Sequence, residues 1–325
     1  MRSPDKRKVA VRIVFFGSPP FAVAALSALV AANQDIVGVV TQPDKPAGRG
    51  NQLKPPAVKV FAQAAGLDVL QPAKVRDGTL AQWLRERSPD LGVVAAYGRI
   101  LTQEVLDVPA LGCVNLHASL LPRWRGASPI ARAIAAGDRA SGVCLMQMDA
   151  GLDTGAVLDR VVVPIGPDET TPQLEERLAA AGAQLLVRRL ADLEARSLVA
   201  VPQPSEGVSV APPIDKHEGL LDFTKPASHL HAQVRGLQPW PGCSFACAAA
   251  PGEQWKVAPE DLLVGDHRAE PGTVAATDRQ HVWIACGEGS LGVAWLQRPG
   301  KNRAPAPDVV RGVRRGLGDA LWQTT

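Results

Sequence analysis

The first half of the chain alternates between continuous apolar runs and segments with helical periodicity. Runs rich in β-forming residues predict strands at 11–16, 36–41, 91–97 and 112–117, and helical spacing predicts helices at 21–32, 56–65, 79–87 and 128–136. Strands without polar alternation are buried on both faces, which is typical of a parallel sheet covered by helices. We therefore predict a doubly wound α/β domain whose ligands bind at the carboxyl ends of the strands.

The composition changes after a long helix that closes this first half. Two more strands, at 143–148 and 157–163, precede a helix predicted at 171–196, with Thr171 as its N-cap and Pro172 at its first position. Four prolines with serine and glycine between them predict an interdomain linker at 201–213. After a helix at 226–237, short runs separated by Gly, Pro and Asp predict a small β-barrel or sandwich with strands at 255–258, 272–276, 281–285 and 291–296. We predict one domain over 1–200 and a second over 214–325.

Length and cysteine content exclude several classes of protein. The chain has 325 residues, and no apolar run approaches the roughly 20 residues that span a bilayer. The cysteines are odd in number and form no C-x-x-C pair: Cys113, Cys144, Cys243, Cys247 and Cys286. This pattern indicates reduced, buried thiols in a cytoplasmic protein, and we expect no metal site and no membrane partner.

Positive charge is concentrated in two segments, although the formal net charge is only +3. Residues 41–59 carry four basic side chains against one acidic, and residues 298–315 carry six against one. Lys45 and Arg49 belong to a loop rich in Gly and Pro, and Arg49 between two glycines has room to reach a phosphate or a base. Charge alone does not distinguish a phosphate-binding surface from ordinary solvated side chains.

The segment from Gly112 to Gly126 places polar residues at the end of a predicted buried strand. Asn115 and His117 are two positions apart, so they share one face of that strand. Asn can donate a hydrogen bond to an oxyanion and His can exchange a proton near neutral pH, a pair that suits acyl transfer to an amine. The alternative is a buried Asn and His that satisfy local backbone groups.

A second polar cluster follows the strand predicted at 143–148. Its tight loop contains two glycines and two carboxylates, Asp149 and Asp153, and a carboxylate beside a histidine would orient the ring and favour its charged form. A plain turn remains the alternative, since the spacing is not that of a calcium loop. The chain has no G-x-G-x-x-G, P-loop or G-x-S-x-G motif, so we reject dinucleotide, ATP and serine-nucleophile sites.

Together these residues resemble the folate-dependent formyltransferase family. The resemblance rests on Asn115-x-His117, on Ser119-Leu120-Leu121-Pro122 and on Asp153 in Gly-Leu-Asp-Thr-Gly. It implies a Rossmann-like catalytic domain, a catalytic trio of Asn115, His117 and Asp153, and a folate pocket lined by Ser119, Leu120, Leu121 and Pro122. The expected co-substrate is 10-formyltetrahydrofolate.

Further features resemble the branch of this family that formylates methionine on initiator tRNA. The loop at 41–50 is similar to the insertion with which that branch contacts tRNA, which implies tRNA binding by Lys45 and Arg49. The Gln-Pro-Trp-Pro-Gly segment at 238–242 and Gly300-Lys301 are similar to its second domain, which implies an OB-like, tRNA-binding barrel and a monomer. Pro213 and Phe223 depart from the pattern, which usually has Lys and Trp there.

Two other functions compete with this interpretation. An amino-sugar formyltransferase would share the trio and differ in the basic loop around Arg49. A non-catalytic RNA-binding protein on a degenerate enzyme scaffold would be expected to have lost at least one of Asn115, His117 and Asp153, and all three are present.

Overall fold

A computed structural model describes residues 11–47 and 52–323. The strands and helices of its first part are β1 (Arg12–Gly17), α1 (Pro20–Ala31), β2 (Asp35–Val40), β3 (Lys45–Ala47), β4 (Gln52–Lys54), α2 (Ala57–Ala64), β5 (Val69–Leu70), α3 (Thr79–Arg87), β6 (Leu91–Ala95), α4 (Gln103–Leu106), β7 (Cys113–His117), β8 (Arg125–Gly126), α5 (Pro129–Ala135), β9 (Ala140–Gln147), β10 (Val157–Pro164) and α6 (Thr171–Glu194).

A 3-10 helix (Lys216–Gly219) lies in the remaining part, whose other elements are β11 (Val210–Ala211), α7 (Ala227–Gly236), β12 (Cys243–Ala246), β13 (Gln254–Val257), β14 (Leu263–Gly265), β15 (Val274–Thr277), β16 (Val282–Ala285), β17 (Ser290–Val293), β18 (Trp295–Gln297), β19 (Ala304–Pro305) and α8 (Ala306–Gly312). The chain forms two compact units, neither of which is continuous in sequence. The first contains residues up to 127, 142–163 and 175–210, and the second contains 128–141, 164–174 and everything from 211 onward. The domain limits at 200 and 213 stay a prediction.

A seven-stranded sheet in the order β10-β9-β7-β6-β1-β2-β5 forms the centre of the first part. The strands β5, β2, β1, β6 and β7 run parallel, and β9 lies antiparallel to β7. The four apolar residues 13–16 of β1 have no exposed surface, as their lack of alternation predicts. The predicted parallel α/β fold is confirmed, with an antiparallel extension beyond β7.

Most helix limits agree with the sequence pattern, but the N-cap of α6 does not. The residue before the helix, Thr170, accepts the Leu174 N–H on its carbonyl at 3.0 Å. The Gln173 side chain in turn accepts the Thr170 N–H at 2.9 Å, which is the return bond of a capping box. Thr171 is therefore not the cap as predicted, and its hydroxyl donates to the Gly236 carbonyl instead (2.7 Å).

The C-terminal strands form two antiparallel four-stranded sheets, β12-β13-β18-β19 and β14-β17-β16-β15. Side chains of both sheets pack into one core, in which Phe245 lies 5.5 Å from Phe223 and 6.1 Å from Trp255 between ring centroids. The predicted fold class, an α/β domain followed by antiparallel β-structure, is confirmed. The single run predicted at 291–296 is wrong in detail, because Ala294 separates β17 and β18, which belong to different sheets.

The proline-rich segment is anchored at its C-terminal end by Arg132 of α5. The Arg132 guanidinium donates to the Pro213 carbonyl at 3.2 Å and to Glu218 Oε1 at 2.9 Å. Both side chains of the Arg132–Glu218 pair are partly buried, and the pair fixes residues 212–218 to α5. Within residues 11–47 and 52–323, no helix is both long and apolar enough to cross a bilayer.

Candidate active site

Strand β7 carries Asn115 and His117 to the carboxyl edge of the parallel strands. Both residues are buried, and they face Met146 and Cys144 of β9 across the antiparallel pair. Their two-residue spacing puts both side chains on the same face, as the sequence predicts. A polar pair in an otherwise apolar strand is costly unless it is hydrogen-bonded, and its partner comes from another loop.

That partner is the carboxylate of Asp153, in the loop between β9 and β10. Asp153 Oδ1 lies 3.4 Å from Asn115 Nδ2 and 3.5 Å from His117 Nδ1. The Gly126 N–H donates to Asp153 Oδ2 at 2.9 Å. The structure thus brings the three residues of the predicted trio together, with the carboxylate between the amide and the imidazole. Their catalytic roles stay a prediction.

The loop from Arg123 to Gly126 closes the other side of the imidazole. His117 Nε2 lies 2.9 Å from the Trp124 carbonyl oxygen, which can only accept a hydrogen bond. Both ring nitrogens therefore face acceptors, so a ring that has taken up a proton finds a partner for each N–H. Trp124 (φ +64°) and Asp153 (φ +53°) occupy the left-handed region, which is uncommon for residues other than glycine and recurs at functional sites.

The sequence pattern did not identify Gln203, Arg125 and Ser209 as neighbours of this site. The Gln203 carboxamide hydrogen-bonds to the loops of both Asp153 and Arg125. The Ser209 hydroxyl accepts the Trp124 N–H at 2.9 Å. Gln203 and Ser209 belong to the segment predicted as a linker. They are two of the four polar side chains in that segment, and nothing local distinguishes them from Ser205 and Glu206.

The four residues predicted to line a folate pocket differ in burial. Ser119 is fully buried and its hydroxyl donates to the Arg123 carbonyl at 2.6 Å. Leu121 is buried in a cluster with Cys144 and Met146. Leu120 and Pro122 are only half-buried, so these two offer side-chain surface to a ligand. Folate binding by this loop stays a prediction.

Loops at the carboxyl ends of β1, β2 and β6 are joined by hydrogen bonds. The Gln42 N–H donates to Ser18 Oγ at 3.1 Å, and Gln42 Nε2 donates to the Tyr97 carbonyl at 2.8 Å. The sheet order reverses between β1 and β6, which is where a doubly wound fold opens its ligand crevice. Asn115 and His117 of the predicted trio lie on β7, one strand beyond β6.

The basic loop after β2 is described on both sides of residue 49, and Arg49 itself lies outside the described residues. β3 and β4 form a hairpin in which Lys45 and Lys54 stand directly opposite each other. Two like charges at adjacent cross-strand positions repel, so this hairpin base favours an anionic partner.

Hydrogen bonds from Lys59 (2.8 Å) and Gln71 (2.7 Å) hold the pKa of Asp44 below its ordinary value.

The C-terminal basic segment is less positive than its local count suggests. Four of its six basic side chains lie within 4 Å of a carboxylate: Arg298 of Glu253 (2.7 Å), Arg303 of Glu260 (2.8 Å), Arg311 of Asp308 (3.3 Å) and Arg315 of Asp319 (3.9 Å). Three of these acids lie outside residues 298–315. The sequence count therefore overstates the positive charge at 298–315, because acids from elsewhere in the chain compensate most of it.

All five cysteines are free and buried, which confirms the prediction of reduced thiols. Burial raises the pKa of Cys113 and that of Cys243 to about 12. Thiols of this kind stay protonated and are poor nucleophiles and metal ligands.

Comparisons with known proteins identify both halves of the chain. Residues 11–190 match the family described as formyl transferase, and residues 213–314 match the formyl transferase C-terminal domain. The chain is 48% identical to a methionyl-tRNA formyltransferase of Burkholderia pseudomallei strain K96243, over 95% of this chain and 96% of that protein. It is 46% identical to a methionyl-tRNA formyltransferase of Aromatoleum aromaticum, again over 95% and 96%.

A solved structure shows the same fold at low sequence identity. It is an N-formyltransferase from Helicobacter canadensis in complex with folinic acid and dTDP-3-aminofucose, with a TM-score of 0.66 and 17% identity over 89% of this chain and 99% of that one. The matches at 46–48% identity span nearly the whole chain, and the family match alone spans more than half of it. The chain therefore belongs to the formyl transferase family.

Proposed function

We propose that this protein transfers the formyl group of 10-formyltetrahydrofolate to the α-amino group of methionine on initiator methionyl-tRNA, producing N-formylmethionyl-tRNA. The observation that carries the chemistry is the convergence of Asn115 and His117 on the carboxylate of Asp153 at the carboxyl edge of the sheet. The acceptor is proposed from the two relatives, which are named methionyl-tRNA formyltransferases and match almost end to end.

The reaction replaces one carbon–nitrogen bond with another. The methionine nitrogen attacks the formyl carbon, the bond from that carbon to folate nitrogen 10 breaks, and the proton lost by the amine goes to that nitrogen. Negative charge builds on the formyl oxygen during attack. The amide nitrogen of Asn115 carries two N–H groups, and the described residues supply one acceptor, Asp153, which leaves the second for the oxyanion. Losing such a donor typically raises the barrier by about 3–4 kcal/mol.

His117 is the proposed proton carrier between the two nitrogens. Once protonated, its ring can donate to Asp153 on one side and to the Trp124 carbonyl on the other, so each N–H of the imidazolium has an acceptor. General acid–base catalysis of this kind is typically worth about 10²–10⁴ in rate. Asp153 orients the ring and offsets its charge.

Binding of the two substrates is assigned to the surrounding loops. Leu120 and Pro122, together with the main chain of the segment 119–122, would contact the folate. Lys45 and Arg49 would hold the acceptor end of the tRNA, a contact favoured by the paired lysines of the β3–β4 hairpin. We propose that the protein acts as a cytoplasmic monomer.

The test is formyl transfer measured with three acceptors: methionine-charged initiator tRNA, free methionine and an amino-sugar nucleotide. We expect transfer to the charged tRNA alone, and its loss in His117→Ala, whereas His229→Ala, which removes an exposed histidine of α7, should keep full activity. Transfer to the amino-sugar nucleotide would contradict charged tRNA as the acceptor and indicate an amino sugar in its place. Normal turnover by His117→Ala would contradict the proposed chemistry.

Recognition of tRNA is tested separately from chemistry. Arg49→Ala should raise KM for the charged tRNA while folate binding stays at the wild-type level. Unchanged kinetics with charged tRNA would remove Arg49 from the proposal and leave the trio unaffected.

A further inference from the structure

The carboxamide of Gln203 uses all of its hydrogen-bonding capacity between two loops of the active site. Its Nε2 donates to the Asp153 carbonyl and to the Gly155 carbonyl, both at 2.8 Å. Its Oε1 accepts from Arg125 Nε at 2.9 Å and from Arg125 Nη2 at 2.7 Å. Two N–H groups and two lone pairs are the full complement of a primary amide, so none of it is left for substrate.

One end of Gln203 fixes the loop that carries the proposed catalytic carboxylate. Asp153 has φ +53°, a conformation that residues with a side chain keep only when their surroundings impose it. Hydrogen bonds to its own carbonyl and to that of Gly155 impose the orientation of both peptides. That orientation decides where the Asp153 carboxylate points, and hence its distances to Asn115 and His117.

The other end fixes the loop that contacts His117 and Asp153 from the opposite side. Arg125 is held through its guanidinium by Gln203, and its N–H donates to the Ser209 carbonyl at 2.9 Å. The next N–H along the chain, that of Gly126, is the one that binds Asp153 Oδ2. Gln203 therefore connects the two loops that meet at the Asp153 carboxylate, without touching the carboxylate itself.

We infer that Gln203 is a positioning residue for formyl transfer, acting through Asp153 and not on substrate. This inference rests on the proposed function, since it assigns a consequence to the alignment of Asp153. It also gives the segment 201–210 a role beyond connecting two domains: the segment is part of the framework of the active site.

The side chain offers variants that separate its two ends. Gln203→Ala removes all four hydrogen bonds. Gln203→Glu keeps the acceptor for Arg125 and replaces the donor by a carboxylate oxygen that faces the carbonyls of Asp153 and Gly155. Both variants lose the donor to the Asp153 and Gly155 carbonyls. We therefore expect both to lower kcat by roughly 10²-fold, the typical cost of a misplacement near 1 Å, with little change in KM for either substrate.

A matched control exists in the second unit. The carboxamide of Gln233 also donates to two backbone carbonyls, those of Glu218 (2.7 Å) and Leu220 (3.2 Å). Gln233→Ala thus removes the same kind of bridge without touching the loops around Asp153. It should leave kcat at the wild-type value, which separates positioning from a general loss of hydrogen bonds.

A double-mutant cycle with Asp153→Asn tests whether Gln203 acts through Asp153. We expect Gln203→Ala to cost roughly 10²-fold in kcat in the wild-type background and less than about threefold in the Asp153→Asn background. An equal loss in both backgrounds, or a loss below about threefold in the wild type, would overturn the inference.

Hydrogen exchange gives a readout that does not depend on the reaction. Amide exchange over residues 123–127 should accelerate in Gln203→Ala and stay unchanged in Gln233→Ala, because the Gly126 N–H loses a well-placed acceptor. Unchanged exchange in Gln203→Ala would overturn the inference. A wild-type protein that formylates no charged tRNA, combined with the expected exchange, would overturn the proposed function and leave the alignment of Asp153 by Gln203 supported.

Discussion

Replacing Asp153 by asparagine removes the charge beside His117 and leaves the shape of the site intact. Asparagine tolerates a positive φ at least as well as aspartate, and its oxygen can still accept the Gly126 N–H. What is lost is the attraction between the carboxylate and a protonated imidazole 3.5 Å away, together with the hydrogen bond from Asn115, because the new amide nitrogen takes the place of Oδ1. For unit charges at that distance and an effective dielectric constant of about 20, this attraction is worth at most about 5 kcal/mol, and so at most roughly 5 × 10³-fold in rate.

The assay is single-turnover formyl transfer to charged tRNA. The donor 10-formyltetrahydrofolate is kept at saturating concentration, so that the chemical step and not binding limits the rate. Asp149→Asn is the matched control, because Asp149 lies in the same loop and its Oδ1 accepts from Gly151 and Thr154 without contacting His117. It should retain the wild-type rate constant. A rate for Asp153→Asn within about threefold of the wild type would show that the carboxylate does not support His117 as argued.

Three further predictions concern stability and binding. Phe245→Ala empties a buried ring position in the second unit and should cost about 3–5 kcal/mol, seen as a lower urea midpoint; an unchanged midpoint would contradict the packing argument. Lys45→Ala combined with Lys54→Ala should raise KM for charged tRNA and flatten its salt dependence, and an unchanged slope would exclude phosphate contacts by these lysines. Burial, followed by the adjacent Arg235, lowers the pKa of His231 from 6.5, so its contribution to stability is complete above pH 6.5 and is lost as the pH falls through the folded-state value. His231→Gln should remove that part of the acid sensitivity in urea titrations between pH 8 and 5, and an unaltered pH profile would refute the assignment.

Features that follow from local periodicity were predictable. Helix α3 begins at Thr79 and ends at Arg87 as its spacing predicts, because apolar positions three and four apart define one buried face. Asn115 and His117 share a face because strand side chains alternate, which needs no knowledge of the neighbouring strands. Their proximity to Asp153, 38 positions later, was expected from the family resemblance and not from periodicity.

Features set by distant partners were not predictable. Gln203 binds a carbonyl 50 positions away, and a glutamine among prolines is normally read as solvent-exposed. Arg298 pairs with Glu253, 45 positions earlier, so counting charges within a segment overstated the positive charge there. The division at Ala294 was also missed, because a continuous apolar run gives no sign of a change from one sheet to another.

The contact between α5 and α7 limits how this protein can be recombined with its relatives. α5 lies within the residues that match the N-terminal family, yet it belongs to the same compact unit as α7. A Cβ at Gly236 would lie 2.7 Å from the Ala135 nitrogen and 2.9 Å from the Ala131 carbonyl oxygen, so the two helices touch at backbone distance. A chimera joined at the proline-rich segment would combine α5 and α7 from different parents. Such a hybrid retains the contact only if the parent that supplies α7 has glycine at this position and the parent that supplies α5 has small residues opposite it.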